Sequence, residues 1–196
     1  MKNLLIATSL AASAILPTAA HAQSIPSAIV AVVDLDKVTS SCNACKTASA
    51  SLRSQVTSLQ SRQQTLAGPL QTEGKSIQTA IDALNGKQPD AALKTRAQAW
   101  EAKRQQAAEE VARQEQQIQA NSDYVKRQIA EKLGPIYTQV MQRRGANIMV
   151  EIGTTLASGA NLDVTNDVLT ALNAALPSIQ TSAPAPATNR AQPQGR

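Results

Sequence analysis

The chain has 196 residues, with 19 Lys/Arg against 14 Asp/Glu and a formal net charge of +5. Its aromatics are Trp100, Tyr124 and Tyr137, with no phenylalanine; because aromatics usually dominate core energetics, one large compact core is excluded in favour of an elongated architecture. The lone histidine, His21, lies in a segment read as a leader, so the mature chain is poorly equipped for zinc sites or His-based acid–base catalysis.

Met1-Lys2-Asn3 is a short positive start, Leu4 to Leu16 an apolar run, and Ala20-His21-Ala22 an A-x-A cleavage site. Residues 1–22 are therefore expected to be a signal peptide cleaved near Ala22. The apolar run is too short to anchor in a bilayer, and no cysteine follows the cleavage point for lipid attachment. The expected destination is the periplasm.

Ala28 to Val33 is a β-branched run and reads as a buried strand. Asp34 to Lys37 turn out of it, and Asp34 and Asp36 read as turn caps before they read as a carboxylate pair. Thr39, Ser40 and Ser41 are candidate N-caps for a helix running toward Leu84, interrupted by Gly68-Pro69 and Gly74. Leu52, Leu59, Leu66, Glu73 and Ala80 take one heptad column of that helix. Val56, Gln63, Leu70, Ile77 and Leu84 take the other. Asn85-Gly86-Lys87-Gln88-Pro89-Asp90 is the strongest turn signal in the chain.

A second helix is expected from there to about Arg144, with Gly145 as its C-terminal cap. Its columns are Arg104, Val111, Ile118, Val125 and Trp100, Ala107, Gln114, Asn121, with a slip of register after Tyr124. Two helices joined by so short a turn form an antiparallel hairpin. At about 1.5 Å per residue, the first would reach roughly 65–70 Å. Polar residues at several seam positions mean that the hairpin is not tightly zipped, and Gly68-Pro69 and Gly134-Pro135 read as bends. Trp100 reads as a residue packed across the hairpin, and Glu109 with Arg113 as a solvated helix face.

Asn147 to Ile152 is a second strand, Thr154 to Ala157 a third short one, and Leu162 to Val164 a further extended piece. Thr165 is the expected N-cap of a helix over 166–175 with Val168, Leu169, Leu172 and Leu176 on one face. The Ser/Ala/Pro/Gln/Arg segment 177–196 reads as a disordered tail. The expected division is thus a β body from 23–45 and 145–176, a helical arm over 46–144 with its tip near 85–90, and the tail. The arm carries fifteen Lys/Arg against nine Asp/Glu, a balance that favours acidic partners or anionic surfaces or is simply a solvated face. The β elements are too few to close a core alone. Several chains together would bury Ile29, Val30, Val32, Val33, Ile148, Val150 and Ile152 as a shared body core.

Ile29-Val30-Ala31-Val32-Val33-Asp34-Leu35-Asp36-Lys37-Val38 and the closing Leu162-Asp163-Val164-Thr165-Asn166-Asp167-Val168-Leu169 together bracket this hairpin. In both end motifs, and in the position and length of the hairpin, the chain resembles the Skp/OmpH family of periplasmic chaperones over about residues 29–176. The resemblance implies an α+β, mostly helical homotrimer, with a β body and three arms around an open cavity. It implies an ATP-independent holdase for unfolded outer-membrane proteins, with no enzyme activity, catalytic residue, cofactor or metal. Weak contact with anionic membrane is expected and nucleic acid is not. Client contacts in such a family are diffuse. On this arm the apolar candidates are Leu59, Leu66, Leu70, Ile77, Ile81 and Leu84, joined by the basic Lys87, Lys94 and Arg96.

Cys42-Asn43-Ala44-Cys45 departs from the family pattern. In an oxidising compartment it is a local disulfide, or a redox pair with a helix-lowered thiol pKa; two cysteines without histidine supply only half a tetrahedral metal site. A non-chaperone envelope coiled-coil adaptor or spacer with a defined partner remains the alternative function.

Overall fold

A computed structural model of the chain describes residues 26–184. Residues 1–25, which include the expected signal peptide, and residues 185–196 of the expected tail lie outside the described residues. In chain order the elements are β1 (Val30–Val33), α1 (Leu35–Ser41), α2 (Asn43–Asp82), α3 (Ala91–Arg144), β2 (Ile148–Glu151) and α4 (Thr165–Ala175). Single 3-10 turns occupy Ile152–Thr154 and Ala160–Leu162. The architecture is α+β and mostly helical, as the pattern predicts.

The first helix begins earlier than its serines and threonines suggested. Asp34 caps α1 by accepting the Lys37 N–H at 2.7 Å, and the chain breaks at Cys42, whose ψ of 130° is not helical. Cys42 then caps α2, its sulfur accepting the Cys45 N–H at 3.3 Å. The two cysteines are joined as a disulfide. Both are buried in the core, at 0% and 4% exposure, which withholds the sulfurs from an incoming thiolate and argues against thiol exchange with a substrate. Closing a loop this short restricts the unfolded chain by about 2 kcal/mol. Cys42→Ser/Cys45→Ser is therefore expected to lower the urea unfolding free energy by about that amount. An unchanged urea midpoint under oxidising conditions would show that the bridge contributes nothing.

α2 and α3 run for 40 and 54 residues without a break, about 60 and 80 Å. Neither proline breaks its helix: α2 is continuous through Gly68-Pro69 and Gly74, and α3 through Gly134-Pro135. A helix-interior proline forfeits one backbone bond and crowds the Cβ of the preceding residue. Here Gly68 and Gly134 have no Cβ to crowd, and both prolines are exposed. The turn between the helices uses left-handed backbone at Asn85 (φ 49°) and Gly86 (φ 84°), and Asp90 caps α3 through the Leu93 N–H at 2.7 Å. Gly145, at φ 69°, ends α3.

The hairpin is in effect an elongated crossover, because β1 and β2 pair in parallel with Val30 opposite Ile148 and Val33 opposite Glu151. No third strand forms over 154–157. The Glu151 carboxylate accepts the Gly153 N–H, and the Thr154 and Thr155 hydroxyls bond back to Glu151 O and Ile152 O, which favours a local turn over an extended ladder. The far side of β1 instead meets Asp163 through one bridge, with the Val164 N–H on Val32 O at 2.8 Å.

The two end motifs meet here. Thr165 Oγ1 accepts the Asp34 N–H at 2.9 Å, and Asp163 accepts the Thr165 N–H at 2.8 Å. Hydrogen bonds from the Thr165 hydroxyl and, second, from its N–H hold the Asp163 carboxyl below its ordinary range. Thr165 is thus the first residue of α4, and Val164 occupies the cap position assigned to it from sequence. The core gathers Ala31 and Val33 of β1, Val38 of α1, both cysteines, Leu133, Ile136 and Val140 of α3, and Val168 and Leu172 of α4. Arg144 pairs with Asp167 at 2.6 Å, tying the end of α3 to the first turn of α4.

Residues 177–184, which read from composition as unfolded, are placed along the base of the hairpin by hydrogen bonds with Ser51, Gln55, Asn121 and Gln128. Side-chain amides supply the partners that a Pro/Ser/Ala-rich segment cannot supply to itself.

Candidate functional site

The hairpin is braced by charged pairs that cross it. Arg62 forks onto Glu110 at 2.7 and 3.1 Å, and Arg96 onto Glu73 at 2.6 and 3.1 Å, with Ser76 as a third partner at 2.7 Å. The hydrogen bonds from these guanidiniums hold the Glu73 and Glu110 carboxyls below the usual range. Both pairs face solvent, so they set register more than they stabilise. The Trp100 indole N–H donates to Leu70 O at 2.8 Å, and its ring lies against Gly74, where an added Cβ would come within 3.1 Å of it. Trp100 therefore packs across the hairpin, with the Arg104 guanidinium 5.7 Å from its ring centroid.

The apolar candidates of the arm divide. Leu59 and Ile77 are buried, at 8% and 6% exposure, and are corrected from client surface to hairpin seam: they are the seam residues that two polar-rich helices bury first. Leu66, Leu70 and Leu84 are half-buried and Ile81 is exposed. Leu66 and Leu70 line a groove of about 280 Å³ with Pro69, Ala107 and Lys103. Nearer the tip, Leu84, Leu93 and Arg96 line another of about 450 Å³. Lys87 and Lys94 are exposed beside the turn, and Arg96 is held by Glu73. Val56, exposed at 41%, belongs with this surface but was hidden by its regular heptad position.

The sheet has two unlike faces, since side chains alternate along a strand. Ala31, Val33 and Met149 face the chain's own core. Val33 is therefore corrected from shared body core to intramolecular core. The opposite face carries Val30 and Val32 with their register partners Ile148 and Val150. Val32 is already buried, Val30 and Val150 are half-buried, and Ile148 is 42% exposed. Ile152 follows Ile148 and Val150 at the same parity and is 37% exposed, and Ile29 and Leu156, outside the strands, are 53% and 108% exposed. Among the described residues no cluster of three or more His, Cys, Asp or Glu is placed to hold a metal ion.

The family model described as outer membrane protein (OmpH-like) matches residues 29–172. The chain belongs to the OmpH-like family. A solved structure from Caulobacter crescentus CB15, named as an OmpH-like candidate outer-membrane chaperone, superposes with a TM-score of 0.65 at 16% identity. The match covers 80% of this chain and 90% of that one, and at this identity it establishes a shared fold. No curated protein matches. The match begins at Ile29, on β1's threshold, and ends at Leu172, inside α4, so the OmpH-like region contains the sheet, the hairpin and the Asp34–Thr165 junction, while residues 177–184 lie beyond it.

Proposed function

We propose that this OmpH-like protein is an ATP-independent holdase of the periplasm, binding unfolded outer-membrane proteins between the arms of a homotrimer and preventing their aggregation. The observation that carries this reading is the half-closed hairpin. Its seam buries few apolar side chains, Leu66, Leu70 and Leu84 line open grooves, and Ile81 is exposed, among exposed lysines. Unfolded barrel strands carry an apolar residue at every second position and aggregate through them. Many shallow apolar contacts in a basic setting hold such chains without selecting one sequence, and the same charge supports weak contact with anionic membrane. The trimer is supported by the apolar residues Ile29, Ile148, Ile152 and Leu156 in and beside the strands, which one chain leaves exposed.

The test is dilution of a urea-unfolded outer-membrane barrel into buffer with the purified mature protein. Light scattering is expected to be suppressed at about one trimer per client, without nucleotide. Unchanged aggregation with a monomeric protein in solution would sink the reading.

A further inference from the structure

After α4 the chain turns along the hairpin instead of leaving it. Leu176 is buried and Ile179 packs on the core, and then residues 180–183 enter the groove between α2 and α3. Gln128 of α3 pairs with both main-chain groups of Gln180: its amide donates to Gln180 O at 2.8 Å and its oxygen accepts the Gln180 N–H at 3.0 Å. Gln55 of α2 donates to Thr181 O at 3.1 Å. Asn121 accepts the Ala183 N–H at 2.8 Å while its own amide donates to Gln55 Oε1 at 2.8 Å. Asn121 is only 5% exposed. A side-chain contact joins the set, Ser51 to the Thr181 hydroxyl at 2.9 Å.

Two properties of this arrangement matter. The amides of Gln55, Asn121 and Gln128 bond to the main chain of the segment, so they would accept any extended polypeptide whatever its side chains. The spacing also matches: Gln128 and Asn121 stand one heptad apart, about 10.5 Å along a helix. Three extended residues, from 180 to 183, advance about 10 Å. An open pocket of about 430 Å³ adjoins the segment, sharing Ser51, Gln55 and Asn121 with it and continuing along Ser58, Gln114 and Ile118. Gln114 is the next residue in the heptad column that holds Asn121 and Gln128.

We propose that this amide-lined groove is a binding site for extended, unfolded polypeptide read through its main chain, and that the chain's own residues 180–183 are its resident, displaceable occupant. The claim rests on the holdase reading in one respect: the polypeptide that displaces the segment is an unfolded client. Binding at this site is then autoinhibited until a client segment competes.

The test uses a fluorescein-labelled octapeptide with the sequence of residues 177–184, followed by anisotropy. A chain ending at Ile179 is expected to bind it at least tenfold more tightly than the full chain. A scrambled peptide of the same composition should bind within threefold, and adding Asn121→Leu and Gln128→Leu to the shortened chain should lose tenfold or more. A urea-unfolded outer-membrane barrel should displace the label. Equal binding by full and shortened chains, or rejection of the scrambled peptide, would overturn the main-chain site. Peptide binding without displacement by the barrel would overturn the client assignment. If the shortened chain loses its helical circular dichroism, Gln180→Pro in the full chain removes the N–H given to Gln128 and takes its place, with the same tenfold gain expected. Peptide binding intact without suppression of scattering would count against the holdase alone, and suppression without peptide binding against the groove alone.

Discussion

Replacing Ile148 with aspartate is expected to leave the protein folded and turn the proposed trimer into monomers at micromolar concentration, read by native mass spectrometry. Ile148 opens β2, is 42% exposed within one chain, and shares its face with Val30 and Val150. Its N–H bonds to Ile29 O at 3.2 Å through the backbone, which the substitution leaves alone. A carboxylate there stays hydrated in the monomer. In a trimer closed over this face it would be desolvated without a partner, at an effective cost of several kcal/mol per ion. Three such charges about one symmetry axis would also repel one another. At three copies per assembly the penalty exceeds what a modest apolar patch returns, at about 25 cal/mol per Å². Ile81→Asp, on the exposed side of the hairpin, is the matched control and should leave the mass unchanged. Suppression of client aggregation should fall with the Ile148 variant, because arms that no longer surround a common space offer their contacts one at a time. If the Ile148 variant keeps a trimeric mass, this face is not the assembly surface.

Much of the fold was legible because its signals are local. The run from Asn85 to Asp90 has one inexpensive conformation, with left-handed backbone at Asn85 and Gly86 and a carboxylate cap at Asp90, and the structure uses it. Gly145 ends α3 for the same kind of reason. Where the pattern misled, longer-range partners decided. Thr165 has the chemistry of an N-cap, but its hydroxyl is taken by the Asp34 N–H from 131 residues away. Gly68-Pro69 has the composition of a break, yet α2 continues through it, the glycine removing the Cβ that the proline ring would otherwise crowd. Val33 and Val32 are adjacent and alike in sequence; only the placement of α1 and α4 decides that Val33 joins the core cluster of the single chain.

The groove was the least visible feature. Asn121 reads as a polar residue in the heptad seam, Gln55 and Gln128 carry no signal of their own, and residues 177–184 read as a tail without structure. Each reading was correct about what its own segment cannot do alone. The seam lacks apolar residues where the segment needs hydrogen-bond partners, and the segment lacks a ladder where the seam carries amides. Such complementarity has no period in either sequence and emerges only when the two are side by side.

Leu172→Ala is expected to lower the unfolding free energy by about 2–5 kcal/mol, measured by urea denaturation at fixed protomer concentration. Leu172 is a fully buried side chain at the centre of the core that joins β1, α1, α3 and α4. α4 has 11 residues, too few to be stable alone, since isolated helices shorter than about 12–15 residues are marginal in water. Its packing is therefore what keeps it in place, and through Leu176 and Ile179 the same packing holds the start of the segment that enters the groove. A cavity at Leu172 weakens both together. Val56→Ala, at 41% exposure, should cost no more than about 0.5 kcal/mol. A loss below about 1 kcal/mol for the Leu172 variant would mean that the core at the base does not anchor the hairpin. A loss in the expected range, accompanied by tighter binding of the labelled octapeptide, would tie the stability of α4 directly to how firmly the groove is occupied.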